Sequence, residues 1–282
     1  MPTPPPDAIT LPLVLKALGE DLAQGGDTTS NALIAPDQQA QAVIVARQDG
    51  RLAGLCCARL TFAQLDANLA FTEHVRDGDD VLAGDVVASI KGPARSILAG
   101  ERVALNFLGH LSGIATSTRA MVEKLEGTDA RLCCTRKTLP GLRSLQKYAV
   151  RVGGGINHRF GLGGAILIKD NHIHAAGGIK NAITRAREHA GHMSKIEIEV
   201  DALDQLQSAL PHKPDAVLLD NMDLRTLRQA VGIIDKRAII EASGGVTLDT
   251  IADIAATGVD VISTSVITMS APALDLGLDF TS

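Results

Sequence analysis

The stretch KIEIEV, residues 195–200, is a short strand-like run that returns in similar form three more times. AVLLDN (216–221), AIIEAS (238–243) and VDVIST (259–264) follow it, and the four runs begin 21 or 22 residues apart. Helical patterns such as LDQLQSAL and LRTLRQAV fill the intervals. This alternation is typical of βα units whose parallel strands are buried on both faces.

The same pattern extends toward the middle of the chain. ARLCCT (130–135) and AILIKD (165–170) have the same character, and residues 155–157 are a candidate for a seventh strand. Six or seven such strands predict a closed or nearly closed α/β barrel, and an open doubly wound sheet is the alternative.

The first 110 residues show no such period and predict a mixture of helices and short strands. LPLVLKAL (11–18) predicts a helix, QAVIVARQ (41–48) a strand, and residues 75–90 short strands joined by Gly and Asp turns. Residues 96–127 predict a long helix with a break near Ser112-Gly113. The two parts of the chain therefore differ in architecture.

Composition narrows the functional class. The 282 residues are 45% hydrophobic and carry a net charge of −5, with one Tyr and no Trp. An acidic chain with almost no aromatic side chains argues against a nucleic-acid or membrane partner. The amino terminus lacks the basic and apolar regions of a signal peptide, and the cysteines form two adjacent pairs, Cys56-Cys57 and Cys133-Cys134. We therefore expect buried, reduced cysteines in a cytoplasmic protein.

A basic stretch, residues 131–169, lies within this acidic chain. It contains eight Lys or Arg residues and no carboxylate. Arg presents a planar fork that matches a carboxylate or phosphate, and Lys supplies a compact charge, so the stretch predicts a ligand with several negative charges. Arg143, Lys147 and Arg151 have helical spacing and predict an exposed helix face instead. The candidate binding residues are Arg136, Lys137, His158, Arg159 and Lys169.

Polar residues follow every predicted strand, at the edge where the active site of a parallel barrel lies. The strand ends are Thr135-Arg136-Lys137, Lys169-Asp170-Asn171, Glu199-Val200-Asp201, Asp220-Asn221, Glu241-Ala242-Ser243 and Ser263-Thr264-Ser265. Cations from the early strands would face carboxylates from the middle strands, and the last strands end in hydroxyls and glycines. Such a mouth suits an anionic substrate, a metal or sugar hydroxyls, and a phosphate.

Two of these strand ends allow more than one interpretation. Glu199 and Asp220 could hold Mg²⁺, bind ribose hydroxyls, stabilise a cationic transition state or only neutralise nearby lysines. Residues 243–245 could let backbone N–H groups approach a phosphate just before a helix that we expect to begin near Thr247. The same residues could instead form an ordinary turn.

A Schiff-base lyase that uses Lys137 or Lys169 is the alternative enzyme class, and a non-catalytic binding protein is the other alternative.

Several longer motifs together resemble one enzyme family. They are EDLAQGGDTTS (20–30), GERVALNFLGHLSGIAT (100–116), TRKTLPGLR (135–143), GGGINHR (153–159), LIKDNHI (167–173), LLDN (218–221) and EASGGV (241–246). In this combination the chain resembles quinolinate phosphoribosyltransferase, also called nicotinate-nucleotide pyrophosphorylase (carboxylating), nearly from end to end.

The resemblance implies a pentosyltransferase of NAD biosynthesis. It would join quinolinate, a pyridine with two adjacent carboxylates, to 5-phosphoribosyl 1-pyrophosphate with Mg²⁺ as cofactor. Nicotinate mononucleotide, pyrophosphate and CO₂ would be the products. The implied fold is a sandwich-like α+β domain over residues 1–113, rejoined by residues 271–282, and an incomplete parallel α/β barrel over residues 114–270. The implied assembly is a homodimer, or a larger oligomer, whose active site is shared between subunits.

The resemblance also implies roles for individual residues. Quinolinate carboxylates would be bound by Arg102, supplied across the subunit interface, and by Arg136, His158 and Arg159. Glu199 and Asp220 would engage Mg²⁺, directly or indirectly. The implied catalytic residues are Lys137, Lys169, Glu199 and Asp220. The implied substrate-binding residues are Arg102, Thr135, Arg136, His158, Arg159, Ser243, Gly244, Gly245, Thr264, Ser265 and Val266.

Gly163-Gly164 stands where the family often has a bulkier pair, and a second segment also departs from the family pattern. ISTSVITMS (262–270) stands where the family usually has a sequence close to ISVGALTHS, so Ser265 replaces a glycine and Met269 a histidine near the 5′-phosphate. A Met side chain cannot donate a hydrogen bond, so we expect a modified phosphate site. Sister phosphoribosyltransferases with another acceptor are the alternative within this fold. The intact LIKDNH and NHR motifs and a pocket rich in Arg argue against them.

Overall fold

The structure, a computed structural model, describes residues 2–23 and 25–281. Met1 and Ser282, at the ends of the predicted domains, and Gln24 of the EDLAQGGDTTS motif lie outside the described residues. The helices are α1 (Asp7–Leu22), α2 (Thr28–Leu33), α3 (Leu55–Leu65), α4 (Ala94–Glu123), α5 (Arg143–Val152), α6 (Asp170–Ala176), α7 (Ile179–His189), α8 (Leu203–Ala209), α9 (Leu224–Ile234), α10 (Ile251–Ala255) and α11 (Val266–Met269). The strands are β1 (Gln39–Ala46), β2 (Gly50–Arg51), β3 (Ala70–Glu73), β4 (Asp80–Val81), β5 (Val86–Pro93), β6 (Arg131–Cys133), β7 (Ile166–Ile168), β8 (Ile196–Val200), β9 (Ala216–Asp220), β10 (Ile239–Ser243), β11 (Val261–Ser263) and β12 (Leu276–Thr281).

The chain forms two compact units. The first comprises Met1–Arg119, Thr138–Gly154 and Ile267–Ser282, and the second comprises Ala120–Lys137 and Gly155–Val266. The domain boundary expected after residue 113 stays a prediction.

The second unit contains a six-stranded parallel sheet in the order β6-β11-β10-β9-β8-β7. From β7 to β11 each strand pairs with the next one along the chain, and β11 then pairs with β6. This cyclic order belongs to a barrel, whereas a doubly wound sheet would reverse its strand order. Among the described residues β6 and β7 are not paired, and the candidate seventh strand is a single bridge between Cys133 and Ile156. The prediction of an incomplete parallel barrel is confirmed.

The first unit is built on the antiparallel sheet β12-β1-β5-β3. Ile44 of β1 and Ile90 of β5 are fully buried in its core together with Phe62 of α3. Phe62 also stacks on Phe71 of β3 with ring centroids 5.8 Å apart. β12, near the end of the chain, pairs along β1. The α+β character expected of this part of the chain is confirmed.

Two predictions about helices are wrong. The break expected near Ser112-Gly113 does not occur, because α4 is one helix through both residues. Gly113 serves close packing instead, since a Cβ there would lie 1.9 Å from the carbonyl oxygen of Pro272. The exposed face expected for α5 is contradicted at Lys147, which is 1% exposed and lies beside the buried Tyr148.

All four cysteines are buried, as expected from their spacing. Within the described part of the chain, no helix has the length and apolar character needed to cross a membrane. Neither finding bears on the chemistry of the chain, whose candidate residues lie at the strand ends.

Candidate active site

A cavity of about 730 Å³ lies at the carboxyl ends of the barrel strands, within the second unit. Its volume is in the range of sites for small molecules. Every predicted site residue except Arg102 lines it. The barrel therefore brings the separate strand ends into one mouth, as the positions of the polar residues predict.

Cations form one side of the cavity: Arg136, Lys137, Arg159 and Lys169. A turn after β6 places the first two, with the backbone N–H of Lys137 donating to Thr135 Oγ1 at 2.9 Å. Arg159 donates from Nη1 to the carbonyl oxygen of Ala165 at 2.9 Å. Burial and then the neighbouring Arg136 lower the pKa of the Arg159 guanidinium. A dianionic ligand beside both guanidinium groups would relieve this repulsion.

Glu199 and Asp220 form the carboxylate side of the cavity, which adjoins the cations at Lys169. Glu199 of β8 makes an ion pair with Lys169 through its Oε2 and the lysine Nζ. Asp220, at the end of β9, accepts a 2.8 Å hydrogen bond from the side-chain amide of Asn221. Carboxylate oxygens are ligands that Mg²⁺ prefers, and they also accept hydrogen bonds from sugar hydroxyls. The two residues therefore fit either partner.

The turn after β10 requires glycine. Gly244 has φ +92° and Gly245 has φ +63°, in the left-handed region that side chains disfavour. A Cβ on Gly244 would lie 2.1 Å from Asn221 Oδ1, and the N–H of Asn221 donates to the Ser243 carbonyl at 2.9 Å. The loop backbone thus lines the cavity with no intervening side chain, which suits a phosphate.

Hydroxyl groups complete this end of the cavity: Ser243, Thr247, Ser263, Thr264 and Ser265. The N–H of Val266 donates to Thr264 Oγ1 at 3.2 Å. The helix expected near Thr247 begins only at Ile251, because the intervening residues form a turn in which the N–H of Thr247 donates to Thr250 Oγ1 at 2.9 Å. Since α10 has five residues, the loop and the hydroxyls are the better candidates for binding an anion.

A half-buried histidine and two buried carboxylates form a cluster of which His158 and Glu241 line the cavity. His158 Nε2 is 2.9 Å from Glu197 Oε2 and 3.9 Å from Glu241 Oε1. Burial and then the charge of Glu197 raise the pKa of Glu241 to about 7. The sequence placed Glu241 among the strand ends without a role and did not include Glu197 among them. The available signal was the spacing of Glu197 and Glu199, which share a strand face at different depths.

We expect Glu241→Gln to change how stability depends on pH. The pKa of Glu241 rises from an ordinary 4.5 to about 7 on folding, so the folded state binds more protons between these values. The stability of the native protein is therefore lost as pH rises through this interval, by at most about 3 kcal/mol. Glutamine does not ionise, so the variant should gain stability relative to the native protein from pH 4.5 to 7. Denaturant unfolding at several pH values measures this difference, and a constant difference would contradict the raised pKa.

Arg102 lies outside this cavity, on α4 in the first unit. Its side chain is 64% exposed, and its Nη2 is 3.9 Å from Glu101 Oε1. Its delivery to an active site across a subunit interface stays a prediction.

The matches to known families cover both units. Residues 27–112 match the family domain described as "Quinolinate phosphoribosyl transferase, N-terminal domain", and residues 114–279 match the corresponding C-terminal domain. The chain belongs to the quinolinate phosphoribosyltransferase family.

Individual members of the quinolinate phosphoribosyltransferase family are similar along nearly their whole length. The Bacillus subtilis protein named "Probable nicotinate-nucleotide pyrophosphorylase [carboxylating]" is 44% identical over 93% of this chain and 90% of its own. The Mycobacterium leprae protein "Nicotinate-nucleotide pyrophosphorylase [carboxylating]" is 41% identical over 94% and 95%. The solved structure of the nicotinate-nucleotide pyrophosphorylase from Francisella tularensis superposes with a TM-score of 0.94, at 41% identity over 98% of both chains.

The departure from the pattern of the quinolinate phosphoribosyltransferase family has a structural location. Ser265 lines the cavity, and Met269 is 49% exposed on α11. Serine at position 265 adds a hydroxyl to the wall that the glycine of the family pattern would leave bare. The departure therefore leaves a polar side chain at this end of the cavity.

Proposed function

We propose that this chain transfers the phosphoribosyl group of 5-phosphoribosyl 1-pyrophosphate to quinolinate with loss of CO₂, as a carboxylating nicotinate-nucleotide pyrophosphorylase of NAD biosynthesis. The products are nicotinate mononucleotide, pyrophosphate and CO₂. One observation carries the proposal: a single cavity holds a cationic side, a carboxylate side and a loop of glycines and hydroxyls. These three parts match a dianionic acceptor, a ribosyl group that becomes cationic, and a phosphate.

The cationic side would bind quinolinate. Arg136 and Arg159 offer planar forks for the adjacent carboxylates, and Lys137 adds a third positive charge. Fixing both carboxylates orients the ring, so that its nitrogen faces the ribose carbon that carries pyrophosphate. Holding two reactants in this way supplies much of the rate enhancement of a bimolecular reaction.

The carboxylate side would stabilise the ribosyl group during transfer. As pyrophosphate leaves, positive charge develops on the ribose ring, and Glu199 and Asp220 supply fixed negative charge beside it. Both carboxylates would also hold Mg²⁺, which when bound supplies positive charge to the leaving pyrophosphate. Lys169 balances Glu199 before substrates bind, because the two side chains form an ion pair.

Decarboxylation would follow transfer. Once the pyridine nitrogen is bonded to ribose it is positively charged, and the bond from the adjacent ring carbon to its carboxylate breaks. CO₂ leaves as this bond breaks, and the electron pair stays on the ring carbon beside the cationic nitrogen. That carbon then takes a proton. The reaction therefore begins with a dianionic acceptor, which is why the acceptor side needs several cations.

The glycine loop and the hydroxyls would bind the 5′-phosphate. Gly244 and Gly245 expose backbone N–H groups, and Thr264 and Ser265 supply hydroxyls. We propose that the Ser265 hydroxyl supports phosphate binding where Met269 cannot donate a hydrogen bond.

The ion pair of Lys169 argues against the Schiff-base lyase. A nucleophilic lysine must be neutral, whereas Lys169 faces the carboxylate of Glu199.

Incubation with 5-phosphoribosyl 1-pyrophosphate, Mg²⁺ and either quinolinate or nicotinate tests the acceptor. We expect pyrophosphate release with quinolinate and not with nicotinate. Turnover of nicotinate alone would overturn the assignment of the cationic side.

We further propose a cytoplasmic homodimer in which Arg102 completes the active site of the partner subunit. Arg102 is exposed on α4, which leaves its guanidinium accessible to a second copy of the chain. Mixing Arg102→Ala with Glu199→Gln, each with little activity alone, should restore activity, because a mixed dimer then contains one intact site. Failure to recover activity in verified mixed dimers would exclude a shared site.

A further inference from the structure

Lys169 joins strand β7, which ends at Ile168, to helix α6, which begins at Asp170. Its side chain lines the active-site cavity and forms an ion pair with Glu199. The direction in which this side chain leaves the main chain depends on the backbone conformation at the junction. Whatever holds the backbone of Lys169 therefore also holds its ammonium group.

The ring of His172 holds this junction from the first turn of α6. Its Nδ1 accepts a hydrogen bond from the backbone N–H of Lys169 at 2.9 Å. The carbonyl oxygen of Lys169 accepts from the N–H of Ile173, also at 2.9 Å. His172 occupies the helix position from which a Glu or Gln reaches back in a capping box. Both backbone polar groups of Lys169 are thus bound within the first turn.

We propose that His172 is a positioning residue that directs Lys169 toward Glu199 through its Nδ1, without contacting a substrate. Among the described residues that line the active-site cavity, His172 is absent. It lines a separate cavity of about 370 Å³ instead. The proposal rests on the proposed function, which gives the pair of Lys169 and Glu199 its part in the transfer.

The surroundings of His172 suit a ring that accepts at Nδ1. A backbone N–H can only donate, so Nδ1 presents a lone pair in this contact. Arg159 and Arg185 line the same separate cavity, and among its described lining residues there is no carboxylate. Nearby positive charge favours the neutral form of a histidine. The carboxylate of Asp170, in the same helical turn, accepts from the N–H of Asn171 at 2.7 Å.

The shortness of α6 makes this contact important. The helix has seven residues, and helices of this length are not stable by themselves in water. Without an acceptor at position 172, the N–H of Lys169 loses its partner and the junction is held less firmly. Because the ammonium group must meet Glu199 before substrates bind, we expect the loss to reduce activity.

Two substitutions separate the acceptor from the ring. His172→Phe keeps an aromatic ring but has no acceptor, whereas His172→Gln loses the ring and keeps an acceptor that can reach the same N–H. We expect His172→Phe to lower kcat/KM for quinolinate by about three- to tenfold, as for loss of one neutral hydrogen bond. His172→Gln should stay close to the native value. Any other order of the two variants would overturn the proposal.

His174→Phe is the matched control. His174 is an exposed histidine of the same helix, and it is not among the described residues that line either cavity. Its replacement should leave kcat/KM unchanged. A loss equal to that of His172→Phe would mean that any phenylalanine on α6 disturbs the site, and would also overturn the proposal.

Hydrogen exchange of the Lys169 backbone amide follows the contact without any substrate. We expect slow exchange in the native protein and in His172→Gln, and faster exchange in His172→Phe. Equal exchange in all three would show that the ring nitrogen does not hold this N–H. If the native protein does not turn over quinolinate, the proposed function is wrong, while the exchange still reports the contact. If quinolinate is turned over and His172→Phe keeps native kcat/KM, only the positioning role is wrong.

Discussion

Glu199→Gln is expected to lower kcat by about 10²–10³-fold, the size of effect seen when one preorganised electrostatic group is removed from an active site. The Glu199 carboxylate pairs with Lys169 and lines the cavity beside Asp220. A neutral amide balances neither the lysine ammonium nor the positive charge that develops on the ribose ring. Because that charge is greatest in the transition state, the loss should fall on kcat more than on KM.

Steady-state kinetics with each substrate varied in turn measures this effect. The control is Glu188→Gln, which removes an exposed carboxylate on α7 outside the cavity and should leave the kinetics unchanged. If folded Glu199→Gln lost less than about tenfold in kcat, the negative charge of Glu199 would not stabilise the transition state.

Arg136→Gln is expected to raise KM for quinolinate by about 10- to 100-fold, as for loss of a hydrogen bond to a charged group. Arg136 lies close enough to Arg159 to lower the pKa of that guanidinium, so a dianion beside both groups gains from each of them. The KM for 5-phosphoribosyl 1-pyrophosphate should change much less, because we propose that its phosphate and ribose bind other walls of the cavity. Higher salt should also raise KM for quinolinate in the native protein, since salt screens charges that remain accessible to water.

Arg131→Gln is the matched control for Arg136→Gln. Arg131 belongs to the same basic stretch but begins β6, at the end of the strand opposite the cavity, where it is exposed. Its replacement should leave both KM values unchanged. Equal effects of the two substitutions would mean that the general charge of the stretch attracts quinolinate and that Arg136 forms no specific contact.

The barrel strands could be predicted because their sequences answer one physical demand. A parallel strand covered on both faces is rich in apolar residues, so AVLLDN, AIIEAS and VDVIST stand out from the amphipathic helices between them, and KIEIEV stands out by its alternation. The strands β8 to β11 lie within these four runs. The polar residue after each run then reaches the common mouth, because the carboxyl ends of parallel strands share one edge.

The depth of a side chain could not be predicted in the same way. Glu197 and Glu199 lie on one face of β8, and apolar residues occupy the positions between them. Glu199 nevertheless lines the cavity, whereas Glu197 is 8% exposed beside His158. Depth follows from the stagger of neighbouring strands, which one strand's sequence does not contain. Gly113 shows the same limit, because its role depends on Pro272, far along the chain.

Quinolinate labelled in the carboxylate next to the ring nitrogen tests the proposed reaction most directly. The labelled compound is incubated with the native protein, 5-phosphoribosyl 1-pyrophosphate and Mg²⁺, and labelled CO₂ and nicotinate mononucleotide are measured together. We expect equal molar amounts of the two products, both absent in Glu199→Gln on the same timescale. Labelled CO₂ without the nucleotide, or a nucleotide that retains the label, would contradict a phosphoribosyl transfer coupled to decarboxylation.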